Sequence, residues 1–210
     1  VSDVTGVQLN HIPFKGNADL MQALLGGHVM AASDATGWDK FVDAGQMRQA
    51  IAAAKAAGKR IKFLYTIPNF HNPAGVTLSA ARRAEVLDIC RTEDVLILED
   101  NPYGLLGFDG EPIPALRAAE AEGVIYLGSF SKTFSPGMRV GWALAPHAVR
   151  EKLVLAQESA TLCPPSFSQM AVSAYLEQHD WQGQIKALRE MYRERRDAMM
   201  QALADFMPAS

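Results

Sequence analysis

The sequence lacks the features that mark exported, membrane-spanning or nucleic-acid-binding proteins. Its only cysteines, Cys90 and Cys163, have no second cysteine or histidine at zinc-ligand spacing, so we expect neither a disulfide framework nor a metal site. No apolar run approaches the roughly 18 residues that a membrane helix needs, and residues 1–4 show no export signal. Lys and Arg number 20 against 23 Asp and Glu, without a basic cluster. We therefore expect a cytoplasmic protein with no nucleic-acid or membrane partner.

The residues that are present alternate between short apolar runs and helix-forming stretches. Hydrophobic residues make up 49% and charged residues 20% of the 210, an ordinary globular composition. This alternation predicts an α/β fold with a mostly parallel sheet flanked by helices on both faces. The predicted strands are 61–67, 95–98, 123–127 and 139–145. The predicted helices are 47–57, 80–91 capped by Ser79, 147–162, 168–178 and 181–204.

The first 45 residues form a separate segment in this prediction. They contain a candidate strand at 7–12, a helix at 18–25 and a second strand at 28–32, which together are the size of one βαβ unit. We therefore divide the chain into a small N-terminal segment, 1–45, and a larger α/β domain, 46–210.

Polar and charged residues follow three of the predicted strands. One strand is followed by Asn72-Pro73-Ala74-Gly75, and the next ends at Asp100 with Tyr103 three residues on. The third is followed by Ser129-Phe130-Ser131-Lys132, with Arg139 seven residues beyond the lysine. Ligands of open α/β sheets gather at the carboxyl ends of the strands, so these side chains could share one crevice.

Each of these motifs has an ordinary structural interpretation when it stands alone. Asn-Pro-x-Gly is most often a turn, Asp100 could cap a helix or turn, and a loop lysine such as Lys132 is usually solvated. Arg139 could pair with a surface carboxylate. Their occurrence at successive strand ends, in one chain order, is what favours a functional site.

Taken together, these motifs resemble those of the class I/II, or fold type I, pyridoxal-phosphate aminotransferases. The resemblance rests on Asn72–Gly75, Asp100–Tyr103, Ser129–Phe134 and Gly137–Gly141. The spelling of residues 68–77, Pro-Asn-Phe-His-Asn-Pro-Ala-Gly-Val-Thr, is most similar to the aminoadipate and kynurenine aminotransferase branch. The resemblance implies that residues 46–210 are the large, cofactor-binding domain of such an enzyme.

The resemblance implies catalytic roles for three residues. Lys132 would form a Schiff base, the internal aldimine, with pyridoxal 5'-phosphate and then move the α-proton as general base and acid. Asp100 would pair with the protonated pyridine nitrogen, and Tyr103 would hydrogen-bond the phenolic oxygen of the ring. The reaction would transfer an amino group from an amino acid to a 2-oxo acid, in a homodimer.

The same resemblance implies further cofactor contacts. Asn72 would also bind the phenolic oxygen, and Ser129, Ser131 and Arg139 would hold the phosphate. The family places a Gly-rich turn and a stacking aromatic ring upstream of Asn72, and a substrate-binding arginine downstream of Ser210. We recognise none of these three features, so we expect this chain to bind the cofactor weakly and to be impaired or inactive in turnover.

Two alternatives remain at this stage. Ser129-x-x-Lys132 matches the S-x-x-K pattern of penicillin-binding enzymes, but the S-D-N and K-T-G motifs that these enzymes also need are absent. Residues 1–45 resemble a piece of the tripartite tricarboxylate solute-binding receptors. We favour the interpretation that this segment is a fused or misjoined fragment without a function of its own, and a small-carboxylate solute-binding fragment is the alternative.

Overall fold

A computed structural model describes residues 46–207 of the chain. The predictions for residues 1–45, including the receptor-like segment and its βαβ pattern, lie outside the described residues. Within the described range the chain forms two compact units. The first unit comprises residues 46–100, 114–127 and 143–164, and the second comprises 101–113, 128–142 and 165–207.

Four strands form one sheet in the order β1-β2-β3-β4. They are β1 (Phe63–Thr66), β2 (Leu96–Asp100), β3 (Val124–Ser129) and β4 (Gly141–Leu144). β1 pairs with β2 and β2 with β3, both in parallel. The carboxyl ends of these three strands therefore face the same edge of the sheet. The predicted α/β fold with a largely parallel sheet is confirmed.

The described α-helices follow the predicted order, with one addition. They are α1 (Gln46–Ala56), α2 (Ala80–Glu93), α3 (Leu116–Ala119), α4 (His147–Thr161), α5 (Ser166–Gln178) and α6 (Trp181–Phe206). The sequence did not predict α3, which is only four residues long. Ser79 caps α2 as expected, because its hydroxyl accepts the Arg82 N–H at 3.3 Å. No helix in the described part of the chain is long and apolar enough to cross a membrane.

The hydrophobic core lies in the first unit, between α1, α2 and the sheet. Ile97 of β2 and Val124 of β3 are almost completely buried, and Val86 and Cys90 of α2 are buried in the same cluster. Burial raises the pKa of the Cys90 thiol to about 12, so this cysteine is a packing residue and not a nucleophile. The sequence predicted helices on both faces of the sheet, but the four residues of β4 are all exposed.

A buried charge network supports the ends of the strands in this unit. The Arg83 guanidinium donates to the carbonyl oxygens of Leu78 and Pro68 at 2.9 and 3.1 Å, and to Asn69 Oδ1 at 2.6 Å. Glu99, fully buried on β2, accepts the N–H groups of Leu116 and Arg117 at 3.0 and 2.9 Å. Burial raises the pKa of Glu99, opposed by these two N–H groups and by the charge of Arg83.

Candidate active site

The connection between β3 and β4 carries four of the seven residues implicated by the sequence: Ser129, Ser131, Lys132 and Arg139. We call residues 129–140 the lysine loop. Its ends are tied together because the Phe130 N–H donates to the Val140 carbonyl at 3.1 Å. The N–H groups of Phe134 and Ser135 donate back to the Phe130 carbonyl at 2.9 and 3.0 Å. The loop is therefore a compact hydrogen-bonded turn within the second unit.

Two hydroxyl residues share the first turn of the lysine loop. The Ser131 N–H donates to Ser129 Oγ at 3.1 Å, which fixes the Ser129 side chain on this turn. Lys132 is the next residue, and its side chain is exposed. An amine that solvent can reach is also accessible to an aldehyde. The turn therefore places two hydroxyls and one amine within four consecutive residues.

Arg139 closes the lysine loop in an unusual backbone conformation. Its φ of 55° lies in the left-handed region, where a side chain costs roughly 1 kcal/mol or more. Its guanidinium donates to the Pro136 carbonyl at 3.3 Å and is otherwise exposed. Arg139 takes this conformation as the residue that ends a short 3-10 helix, Pro136–Met138. A guanidinium and hydroxyl groups are donors that suit an anion.

Gly128, the residue before the lysine loop, has no space for a side chain. A Cβ atom placed on Gly128 would overlap the indole ring of Trp142, on β4. This close approach within the second unit requires glycine at the residue before Ser129.

Asp100 ends β2 in the first unit and is half-buried. The Tyr65 phenol donates to Asp100 Oδ2 at 2.6 Å. This is the length of a charge-assisted O–H···O⁻ bond, so a carboxylate is held here by a specific donor. In this contact Asp100 accepts from a side chain on the neighbouring strand, whereas a cap would accept from a main-chain N–H.

Asn72 lies on the turn that follows β1 and is exposed. The turn is held by its own backbone, because the His71 N–H donates to the Val76 carbonyl at 2.9 Å. The Phe70 N–H donates to the Thr77 hydroxyl at 3.0 Å, and Gly75 adopts a φ of 70°. The motif is thus a turn, as its ordinary interpretation predicts, and it also presents an amide side chain on the edge of the sheet where β1 ends.

Tyr103 lies in the second unit, on the segment 101–113, and is half-buried. Arginines of α6 bind this segment through its main chain. Arg189 Nε donates to the Leu105 carbonyl at 2.7 Å, and Arg193 donates to the Phe108 carbonyl.

A third arginine of α6 binds side chains of the same segment. Arg196 pairs with Asp109 at 2.6 Å and stacks over the Phe108 ring at 4.9 Å, and it lowers the pKa of the Asp109 carboxyl. The arginine contacts restrain the chain that carries Tyr103.

Removing two of these arginines should loosen that chain. We expect the double substitution Arg189→Ala/Arg193→Ala to speed amide hydrogen exchange over residues 101–113 by about tenfold, since hydrogen bonds from a charged donor are lost. The exposed Arg195, on the same helix, supplies the matched control Arg195→Ala. Unchanged exchange in the double variant would mean that α6 does not restrain the segment.

The described structure thus groups the predicted residues in two sets. Asn72 and Asp100 lie in the first unit, at or after the carboxyl ends of β1 and β2, while the other five lie in the second unit. The four lysine-loop residues are brought together on one turn. No cluster of metal-ligating side chains occurs among the described residues.

The sequence analysis assigns no role to Tyr65, whose contact with Asp100 is shown by the structure. Tyr65 pairs with Leu98 in the β1–β2 register, two residues before Asp100. Residues two apart on a strand share a face, so parallel pairing brings the phenol towards the carboxylate. The sequence feature that pointed to this contact was a tyrosine one residue before the end of β1.

The fold and these residues define an α/β domain with a lysine-bearing loop after its third strand. Residues 25–208 match the family described as Aminotransferase class I and II. The chain therefore belongs to this family, as the motifs predicted.

Three relatives illustrate the similarity. Aromatic-amino-acid aminotransferase 1 of Thermococcus litoralis is 43% identical over 172 residues, which are 81% of this chain and 41% of the relative. The structure of Pyrococcus horikoshii kynurenine aminotransferase, in complex with PMP, superposes with a TM-score of 0.75 at 36% identity, covering 80% of this chain and 42% of that one. The alpha-aminoadipate aminotransferase of Thermus thermophilus, complexed with N-(5'-phosphopyridoxyl)-L-leucine, gives 0.67 at 36% identity, covering 75% and 42%. The chain thus spans about two-fifths of the length of these relatives.

Proposed function

We propose that this chain supplies the cofactor-binding large domain of a pyridoxal-phosphate-dependent aminotransferase. The observation that carries the proposal is the lysine loop, which holds Ser129, Ser131, Lys132 and Arg139 on one closed turn. Two solved relatives of similar fold carry PMP or a phosphopyridoxyl compound. The division at residue 45/46, the cytoplasmic location and the homodimer stay predictions.

The residues of the lysine loop fit the phosphate of this cofactor. A phosphate dianion needs hydrogen-bond donors and a positive charge, and two hydroxyls with one guanidinium supply both. Arg139 is exposed, and one described contact of its guanidinium is the bond to the Pro136 carbonyl, which leaves other N–H groups for an anion. Ser129, Ser131 and Arg139 would therefore hold the phosphate group.

Three of the predicted residues are proposed to contact the ring of the cofactor. Asp100 would pair with the protonated pyridine nitrogen, since one of its two oxygens accepts the Tyr65 phenol and the other can accept a second donor. Asn72 and Tyr103 would donate hydrogen bonds to the phenolic oxygen of the ring. The chemistry supplied by the bound cofactor is withdrawal of electrons from the α-carbon of an amino acid.

Lys132 would act as the base of the reaction. Its Nζ is the amine that would attach to the bound cofactor, and when unattached it would take up the proton of the substrate α-carbon and hold it for return. The net reaction would move an amino group from an amino acid to a 2-oxo acid. Because the chain spans about two-fifths of its relatives, weak binding and slow turnover remain our prediction for these 210 residues.

The phosphate assignment is tested by comparing pyridoxal 5'-phosphate with pyridoxal, which lacks the phosphate. We expect saturable binding, followed by visible absorbance, with a clear preference for the phosphorylated aldehyde. Arg139→Ala should reduce that preference by about tenfold, because a charge-assisted contact is lost. Arg150→Ala, an exposed arginine on α4, is the matched control. Equal binding of the two aldehydes by the unmodified chain would refute the phosphate site.

A further inference from the structure

We propose that Tyr65 is a positioning residue that holds the Asp100 carboxylate in place for the ring nitrogen of the cofactor. This inference rests on the function proposed above. Nothing in the motifs assigns a role to Tyr65, which precedes the Asn-Pro-x-Gly turn by seven residues. Its contact with Asp100 is instead a product of the fold of the first unit.

The β1–β2 register explains how the two side chains meet. Tyr65 pairs with Leu98, and Leu98 and Asp100 lie on the same face of β2 because side chains alternate along a strand. Tyr65 and Asp100 are thus diagonal neighbours on one face. The long side chain of a tyrosine can reach from its own position to the next same-face position along the neighbouring strand. The resulting distance between Tyr65 Oη and Asp100 Oδ2 is 2.6 Å.

The hydrogen bond restricts the carboxylate more than the strand does. Asp100 is the last residue of β2, and the chain leaves the sheet at Asn101-Pro102. The side chain of a terminal strand residue is free to choose among rotamers unless something holds it. A phenol that binds Oδ2 holds the carboxylate group in one orientation. Both residues are half-buried, which limits competition by water.

The same bond contributes little to the strand pairing itself. The β1–β2 ladder already runs from Phe63↔Leu96 to Thr66↔Glu99, so the two strands are paired up to the residue before Asp100. The core beneath them does not involve the phenol. The hydroxyl therefore acts on the orientation of the Asp100 carboxylate more than on the pairing of the two strands.

The substitution Tyr65→Phe removes the hydroxyl and keeps the ring. The probes are pyridoxal 5'-phosphate and 1-deazapyridoxal 5'-phosphate, in which carbon replaces the ring nitrogen. The unmodified chain should prefer the first, because only the first can pair with Asp100. We expect Tyr65→Phe to reduce this preference by about fivefold to tenfold and to leave binding of the deaza compound unchanged.

Two controls make this readout specific. Tyr192→Phe, on α6, removes the hydroxyl of an exposed tyrosine and should change neither affinity. Asp100→Asn should reduce the preference on its own, and adding Tyr65→Phe to it should have no further effect if the two residues act as a unit. A structural role for Tyr65 would instead weaken both probes equally.

The outcomes separate this inference from the proposed function. In one outcome, the unmodified chain prefers pyridoxal 5'-phosphate over the deaza compound and Tyr65→Phe keeps the same preference. That result would overturn the role of Tyr65 and leave the proposed function standing. Failure of the unmodified chain to bind either probe would overturn the proposed function, and the inference with it. A reduced preference in Tyr65→Phe, absent from the Asp100→Asn background, supports the inference.

Discussion

Lys132→Ala is expected to abolish the saturable visible absorbance that pyridoxal 5'-phosphate develops with this chain, and to lower its affinity by about 100-fold. The reason is that the amine of Lys132 is the proposed point of attachment, so the substitution removes a covalent bond and leaves only the phosphate and ring contacts. A loss of this size corresponds to about 2.7 kcal/mol. Titration followed by absorbance measures the Schiff-base band, and equilibrium dialysis measures the affinity of the noncovalent complex.

The control for this experiment is a second exposed lysine. Lys186, on α6, is exposed like Lys132 but lies outside the lysine loop. We expect Lys186→Ala to bind the cofactor as the unmodified chain does. If Lys186→Ala and Lys132→Ala lowered the absorbance equally, the aldehyde would be reacting with surface lysines and the lysine loop would have no special role.

The second large effect is expected on stability and comes from Glu99. This carboxylate is fully buried, accepts two main-chain N–H groups at the start of α3 and faces the charge of Arg83. Glu99→Ala would leave both N–H groups without their acceptor and Arg83 without a nearby negative charge. Removing one member of a buried charge network costs about 3–5 kcal/mol. We expect a loss of this order in the free energy of unfolding, measured by urea denaturation.

An exposed glutamate gives the comparison for Glu99. Glu122→Ala, in the turn before β3, should change the free energy of unfolding by no more than about 0.5 kcal/mol. A similarly small effect from Glu99→Ala would show that the buried network does not stabilise the first unit. The support that it gives to the strand ending at Asp100 would then be dispensable.

Much of the fold could be predicted from the sequence, because its signals are local. The strand before Asp100 is a continuous apolar run stopped by charged residues and a proline, and the structure ends β2 at that residue. Ser79 was identifiable as a helix cap, since serine before a helix-forming stretch satisfies free N–H groups. The lysine-loop residues were identifiable because they lie together in the sequence.

Other features depend on contacts between distant residues. The helix α3 has only four residues, and Glu99, 17 positions before Leu116, holds its first N–H groups. Glu99 itself resembled a polar residue that ends a strand, although it is fully buried. The bond between Tyr65 and Asp100 joins residues 35 positions apart and depends on strand register. Single-sequence patterns do not contain such pairings, so these features needed the structure.

Mapping the attachment point tests most directly whether the lysine loop is a pyridoxal-phosphate site. The unmodified 210-residue chain is equilibrated with a small excess of pyridoxal 5'-phosphate, reduced with borohydride, digested and analysed by mass spectrometry. We expect one phosphopyridoxyl group per chain, on Lys132. A label spread over exposed lysines, with as much on Lys152 and Lys186 as on Lys132, would contradict it.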